Sequence, residues 1–222
     1  MTSAPNGQKI RSLATQTALM EAAENLFSER GIHNVSAKDI LREAHQKNES
    51  ALQYHFKNLQ GLVNAIHERR SRQTHAKRAE LLREMESSKS QLSLRDLCEL
   101  MVYPTFLLAK TDAQFRKYAA AFSHEIVQAE DSALIKVSKS GGGGESGVKL
   151  GHLLREALPH LDESTYRARM DLAARMCSAA VGNHMRQKRP MKGATAELFI
   201  DNLLDALEGL LSAKVTKKAR PK

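Results

Sequence analysis

The sequence predicts an all-α protein. Leu, Ala, Glu, Lys and Arg dominate its 222 residues, whereas the β-branched and aromatic residues that favour strands are sparse. Apolar residues recur along most of the chain at the three- and four-residue spacing of an amphipathic helix. Several of these stretches follow a Ser, Asp or Asn that is suited to cap a helix. A chain of this length folds as one large domain or as two small ones.

The first predicted helix runs from about Ala14 to Arg30, and Gly31 suits the position that follows a helix end. We expect residues 1–12 to form a disordered arm. The apolar stripe of this helix, spaced as one helical face, consists of Leu19, Ala22, Ala23, Leu26 and Phe27.

Residues 36–56 predict two short helices joined by a turn. Ser36 can cap the first helix, with Asp39 reaching back as a capping box. Asn48 can cap the second, expected over Glu49 to about His55, whose outer side is polar. Such side chains can hydrogen-bond base edges and phosphates, and the pair matches the helix-turn-helix arrangement. On spacing alone, an ordinary surface hairpin remains an equal alternative. The candidate DNA-contacting residues are Lys38, Lys47, Asn48, Glu49, Ser50, Gln53, Tyr54, His55 and Lys57.

The same stretch resembles the DNA-binding domain of TetR-family transcriptional regulators. The resemblance covers roughly residues 14–66 and rests on three pieces, which are AAENLFSERG at residues 22–31, Ser36 with DIL at 39–41, and YHF at 54–56. QKNESALQYHF is similar to a branch whose turn contains asparagine and whose second short helix ends in Tyr-His-Phe.

Three positions depart from the family pattern. His45 stands where the family usually has a glycine in the turn, and histidine tolerates positive φ better than most residues. Lys57 and Leu59 stand where a glycine and then a Lys or Arg usually follow the Phe. Lys57 can replace the missing phosphate contact.

The fourth predicted helix begins near Asn58 and closes the small N-terminal core. Its middle, HERRSRQTHAKR at residues 67–78, is strongly polar, as expected of a connector between two domains. We therefore expect a DNA-binding domain over residues 13–66 and a helical regulatory and dimerisation domain over residues 67–213.

In the second domain, Ser93 begins another capping box and Pro104 is expected to break or kink the helix. The resemblance implies an apolar ligand pocket in this region, although stripes at helical spacing usually form plain core. The candidate pocket residues are Met101, Tyr103, Phe106, Phe115, Tyr118 and Phe122.

The Gly-rich residues 140–147 predict a flexible loop, followed by helices from about Val148, from Asp162 as a cap, and over about 196–213. The last apolar stripe is wider than one partner needs. Two such helices and their mates would make a four-helix bundle between subunits, and the alternative is a monomer core. The resemblance and the DNA-binding argument favour the dimer. The candidate dimer-interface residues are Met176, Ala180, Ile200, Leu203, Leu204, Leu207 and Leu211.

The net charge of +9 fits a polyanionic partner. Residues 1–70 carry nine Lys and Arg against seven Asp and Glu, so much of the excess lies later, as in the basic tail at residues 214–222. That tail suits either phosphate attraction or solubility. Cys98 and Cys177 are expected to be separate buried thiols.

No apolar run spans a membrane and no secretory signal is present, so we expect a cytoplasmic protein. No HExxH or GxSxG motif occurs, and we expect neither an enzyme nor a metal or cofactor. The sequence and the resemblance together predict a homodimeric, ligand-responsive repressor that binds a near-palindromic double-stranded operator and an apolar effector. The alternative is a helical dimer that binds a small molecule or a protein and no longer reads DNA.

Overall fold

A computed structural model describes residues 4–48, 50–128, 130, 132–135, 144–188 and 190–216. Within these residues the fold is helical and contains no strand, which confirms the all-α class. None of the described helices is long and apolar enough to cross a bilayer. The helices are α1 (Ala4–Arg30), α2 (Ala37–Glu43), α3 (Ala51–Phe56), α4 (Leu59–Ser88), α5 (Leu94–Thr111), α6 (Ala113–Val127), α7 (Gly144–Ala157), α8 (Glu163–Met185) and α9 (Ala194–Ser212), with a 3₁₀ turn at Ile32–Asn34.

Helix α1 begins at Ala4 rather than near Ala14, so residues 4–12 are helical and not the disordered arm that the sequence predicts. Pro5 lies in the first turn, where a missing N–H removes no helical hydrogen bond. Ile10 and Leu13 are exposed, so this part of α1 buries no large apolar side chain against the described part of the chain. The apolar period that marks a buried helix is therefore absent there.

The N-terminal core lies where α1, α2, α3 and α4 meet. It contains the predicted stripe of α1, together with Ile40, Leu52 and Phe56 from the two short helices. One member comes from the second domain: Phe122 of α6 packs edge to face on Phe27, with ring centroids 5.8 Å apart. The N-terminal domain is thus seated directly on α6.

Helix α5 continues through Pro104, so the helix does not break there. Proline has no N–H to donate to the carbonyl of Leu100, one turn earlier. Instead, Nε of Arg78 on α4 donates to that carbonyl at 3.1 Å. A neighbouring helix thereby satisfies the group that the proline leaves free.

Helices α7 to α9 complete the second core. Residues 144–147 form the first turn of α7, so the predicted flexible loop is wrong there, while residues 140–143 lie outside the described residues. The predicted cap of α8 is confirmed, because Oδ1 of Asp162 accepts the Thr165 N–H at 2.8 Å. Gly182 lets α8 cross α6 closely, since a Cβ there would lie 1.8 Å from Oγ of Ser123.

The apolar stripe of α9 lies inside the chain. Leu204 and Leu207 have almost no exposed surface and belong to the second core. The same holds for Ile200, Leu203 and Leu211, while Met176 and Ala180 of α8 are partly buried against that core. The five buried side chains of α9 cannot contact a second copy, so this part of the predicted dimer interface is corrected. The partial burial of Met176 and Ala180 does not exclude such a contact.

Both cysteines are free, Cys98 buried and Cys177 half-buried. Burial raises the pKa of each thiol to about 12. They are therefore protonated at neutral pH, as expected of structural thiols.

Candidate nucleic-acid interface and cavity

The first short helix is fixed by its own hydrogen bonds. Oγ of Ser36 accepts the Asp39 N–H at 3.2 Å, and Oδ2 of Asp39 accepts the Ser36 N–H at 3.1 Å. The predicted capping box is therefore confirmed. The hydrogen bond from the Ser36 hydroxyl lowers the pKa of Asp39, so this carboxylate stays charged at neutral pH.

The turn between the short helices keeps the geometry that a glycine would provide. His45 has φ 52°, and the N–H of Gln46 returns to the Leu41 carbonyl at 2.9 Å. Oδ1 of Asn48 accepts the Ser50 N–H at 2.9 Å, so Asn48 caps the turn rather than the helix. Helix α3 accordingly begins at Ala51, later than predicted. Glu49 lies outside the described residues.

Helix α3 buries one side and exposes the other. Leu52 and Phe56 enter the N-terminal core, whereas Gln53 is exposed and Tyr54 is 78% exposed. His55 is half-buried, with its Nδ1 3.3 Å from Nε2 of Gln16 on α1. The remaining described candidates are all exposed, namely Lys38, Lys47, Asn48, Ser50 and Lys57. Their contact with DNA remains a prediction.

Helix α4 starts immediately after this face. Lys57, the other residue that stands in place of a glycine, has φ 69°. Oδ1 of Asn58 accepts the Gly61 N–H at 2.8 Å and caps α4. A Cβ on Gly61 would lie 1.9 Å from the Phe56 carbonyl oxygen, so a glycine is required there. The backbone thus holds α3 firmly between α2 and α4.

A cavity of about 490 Å³ lies in the second domain, among α4 to α8. Met101, Phe115, Tyr118 and Phe122 line it, in agreement with the sequence-based choice. The other two candidates do not line it: Tyr103 and Phe106 pack on each other, with ring centroids 6.4 Å apart, and Phe106 also stacks on Phe199 of α9. Two residues apart on a helix, Met101 and Tyr103 point to different sides.

The polar middle of α4 forms a wall of this cavity, which the sequence analysis missed. The residues involved are His67, Ser71, Thr74 and Arg78. They recur every three or four residues and so share one helical face. The three- and four-residue spacing of these polar side chains was the signal available in the sequence. The polar stripe was instead interpreted as the solvated middle of a connector between two domains. The other missed lining residues include Leu150, Leu154, Tyr166, Met170 and Val181 from α7 and α8.

His67 joins the cavity wall to α6. Its Nδ1 lies 3.2 Å from the hydroxyl of Tyr118, and its Nε2 lies 3.2 Å from Oε2 of Glu125. Burial and then the charge of Glu125 raise the pKa of Tyr118, which keeps the phenol protonated. The His67 ring also packs against Phe122, with centroids 4.6 Å apart.

A buried ion-pair cluster joins the two domains. Nε and Nη2 of Arg70 each donate to Glu24 of α1 at 2.6 Å, and Nη1 donates to Asp112 at 2.9 Å. Burial alone would lower the pKa of Arg70, but Glu24 and Asp112 raise it above its ordinary value. Burial raises the pKa of Glu24, and the hydrogen bonds from Arg70 oppose that shift. The short bidentate geometry is that of a charged pair.

A capped pair of short helices that presents a polar second helix, set on a helical body with an internal cavity, defines a helix-turn-helix regulator. Residues 19–66 match the family model for bacterial regulatory proteins of the tetR family, so this segment is similar to the DNA-binding domain of that family. No match was found among curated proteins. The matched domain supports a DNA-binding transcriptional regulator, and regulators of the tetR family are generally non-enzymatic.

Proposed function

We propose that the protein is a homodimeric repressor whose DNA binding responds to a small molecule in the cavity. The observation that carries this proposal is the double position of Phe122, which lines the cavity and also belongs to the N-terminal core. A ligand that displaces this ring changes the surface on which the DNA-binding domain is seated.

Two contacts support such coupling. Phe122 packs on Phe27 of α1, and His67 of α4 also packs on Phe122. His67 directly follows Ile66, which has no exposed surface in the N-terminal core. A shift of Phe122 or His67 therefore moves α1 and α4, between which α2 and α3 are held. Coupling between two sites is typically about 1 to 3 kcal/mol, enough to change operator affinity several-fold or more.

The exposed face of α2 and α3 supports the DNA-binding role. We assign Gln53 and Tyr54 to base edges, because they are the exposed polar side chains at the centre of α3. Lys38, Lys47 and Lys57 flank them and suit phosphate contacts. His55, held by Gln16, serves to position the helix.

The outer faces of α8 and α9 support the dimer. Leu172 of α8 is 51% exposed and Leu198 of α9 is 65% exposed. Each leucine starts an uncharged stripe at helical spacing, continued by Met176 and Ala179 on α8 and by Asn202, Ala206 and Gly209 on α9. We propose that these stripes, rather than the buried leucines, pair with those of a second copy in a four-helix bundle. The two-fold axis then requires a near-palindromic operator.

The test is selection of bound duplexes from a random pool by the purified protein, at about 150 mM salt so that non-specific attraction is screened. The expected result is a near-palindrome whose half-sites lie about one helical turn apart. The control is the Gln53→Ala, Tyr54→Ala double variant, which keeps both cores and should select no such sequence.

Recovery of a sequence without two-fold symmetry would contradict the dimer. Recovery of nothing above the double variant would favour the alternative, a helical binding module that does not read DNA. The protein should be unfolded and refolded before the selection to remove any co-purified ligand. Such a ligand then cannot explain a failure to bind DNA.

A further inference from the structure

A buried guanidinium to which no described acid is paired lies in the cavity wall. Arg78 is only 9% exposed, and its Nε donates to the Leu100 carbonyl. Its Nη1 has no hydrogen-bond partner among the described residues. Burial lowers the pKa of Arg78, and among the described residues no neighbouring acid opposes this shift. The group nevertheless remains charged at neutral pH, because guanidinium groups keep their proton in proteins.

The other polar groups of the wall do not neutralise this charge. Glu125, the acidic residue among those lining the cavity, is paired with His67. The Thr74 hydroxyl donates to the Arg70 carbonyl within its own helix. Within the part of the chain that the structure describes, no Asp or Glu forms an ion pair with Arg78.

An unpaired buried charge destabilises a protein, whereas a charged hydrogen bond to an anion offsets much of that penalty. The remaining wall is mainly apolar, with Leu150, Leu154, Met170 and Val181 among its residues. One cation in an apolar wall matches a ligand with one negative charge. A phosphate with two charges would bring an unmatched charge into the same apolar space.

We propose that the cavity binds an apolar carboxylate, whose carboxylate oxygens accept hydrogen bonds from Arg78 while its hydrocarbon part packs on the apolar wall. The cavity volume of about 490 Å³ is in the range of small-molecule sites. The inference rests on the proposed function only in treating this cavity as the effector site. It adds the chemical class of the effector and the residue that selects it.

The test compares three probes that share one hydrocarbon chain, namely decanoate, decan-1-ol and decylamine, by isothermal titration calorimetry at pH 7 without DNA. The wild-type protein should bind decanoate at least about tenfold more tightly than decanol, as expected of a charged hydrogen bond, and should reject decylamine. Arg78→Gln should lose the preference for decanoate but keep the binding of decanol. The matched control is Arg72→Gln on the same helix, whose side chain is 72% exposed, and it should behave as wild type.

Equal binding of decanoate and decanol by the wild-type protein would overturn the inference, as would an intact preference in Arg78→Gln or no binding of any probe. If Arg78→Gln fails to fold, Arg78→Lys provides the second variant. It keeps a cation and should retain a preference for decanoate, whereas decanol binding as tightly as decanoate would again overturn the inference.

The DNA selection described above uses no probe. A failed carboxylate preference therefore leaves the DNA-binding proposal standing, and a failed selection leaves the calorimetric result intact. The two failures are distinguishable.

Discussion

The two domains of this protein turn their polar side chains in opposite directions, outward in the N-terminal domain and inward in the second domain. In the N-terminal domain, α2 and α3 bury Ile40 and Leu52 and expose Gln53 and Tyr54. In the second domain, α4 turns His67 and Arg78 toward an internal cavity. The polar surface of the N-terminal domain therefore faces solvent over a core filled by side chains, which we call the closed core. The polar surface of the second domain faces the cavity, so we call its core the open core.

This difference matches the two tasks in the proposed function. A surface that reads DNA must hold its side chains in a fixed relation to the grooves, which a closed core and capped short helices provide. A ligand site needs empty volume and a few polar groups that orient the ligand. Phe122 lies where the two cores meet, so the open core can influence the closed one.

The largest contrast is expected within α9. Leu207→Glu puts a carboxylate into the second core and should lower the free energy of unfolding by about 4 kcal/mol or more. Leu198→Glu, on the exposed face, should keep the helical circular dichroism and yield monomers in light scattering. A folded monomer from Leu207→Glu would show that the buried stripe forms the dimer interface after all.

Removal of the cation that joins the two domains should be the next largest effect. Arg70→Met leaves Glu24 buried without its partner and should destabilise the protein by about 3 to 5 kcal/mol in urea unfolding. Arg72→Met, an exposed neighbour, should change stability by less than about 0.5 kcal/mol.

The loss in Arg70→Met should also depend on pH. Burial raises the pKa of Glu24 above 4.5, so the folded variant takes up a proton more readily than the unfolded chain. The penalty should therefore shrink as the pH falls toward that value and grow as the pH rises. A loss that is constant between pH 5 and 8 would contradict an unpaired buried carboxylate.

Substitutions on the outer face of α3 should act on DNA binding alone. Gln53→Ala and Tyr54→Phe should each weaken binding to the selected operator by about 1 to 3 kcal/mol in fluorescence anisotropy at fixed salt, because each removes a hydrogen-bonding group from the interface. Both should leave the unfolding curve unchanged. Gln128→Ala, at the exposed end of α6, is the matched control. Operator affinity equal to that of the control would remove these residues from the interface.

The smallest effect concerns the turn before α3. His45→Gly should raise stability by up to about 1 kcal/mol, since glycine adopts φ 52° without strain. Ala44→Gly, at φ −77°, should instead lower it by about 0.5 to 1 kcal/mol. If thermal unfolding shows that both variants change the stability in the same direction, the strain at His45 is negligible.

The starts of several helices in both domains could be predicted because their signals are local. The capping boxes at Ser36 and Ser93 and the cap at Asp162 involve residues three positions apart, and the structure contains all of them. His45 occupies the conformation that its place in the turn predicts. Such hydrogen bonds form wherever the chain enters a helix, irrespective of what packs later.

The second domain was less predictable. Periodicity placed Phe106 and Leu204 on apolar helix faces, from which they were assigned to the pocket and to the dimer interface. It could not name the helices on which they pack. A polar stripe on α4 has the same period whether it faces water or a cavity, so the role of Arg78 was missed. Helix α5 continues through Pro104, and Arg78 donates from another helix to the Leu100 carbonyl that the proline leaves free.

The sequence by itself therefore determined the helices, most of their caps, the exposed α3 face and the resemblance to a DNA-binding domain. The tertiary structure alone decided which polar residues turn inward, which leucines are buried within the subunit, and how Phe122 links the two cores. The physical reason is that caps and amphipathic periods are properties of neighbouring residues. A cavity, in contrast, and the surface left for a second copy are properties of how several helices pack together.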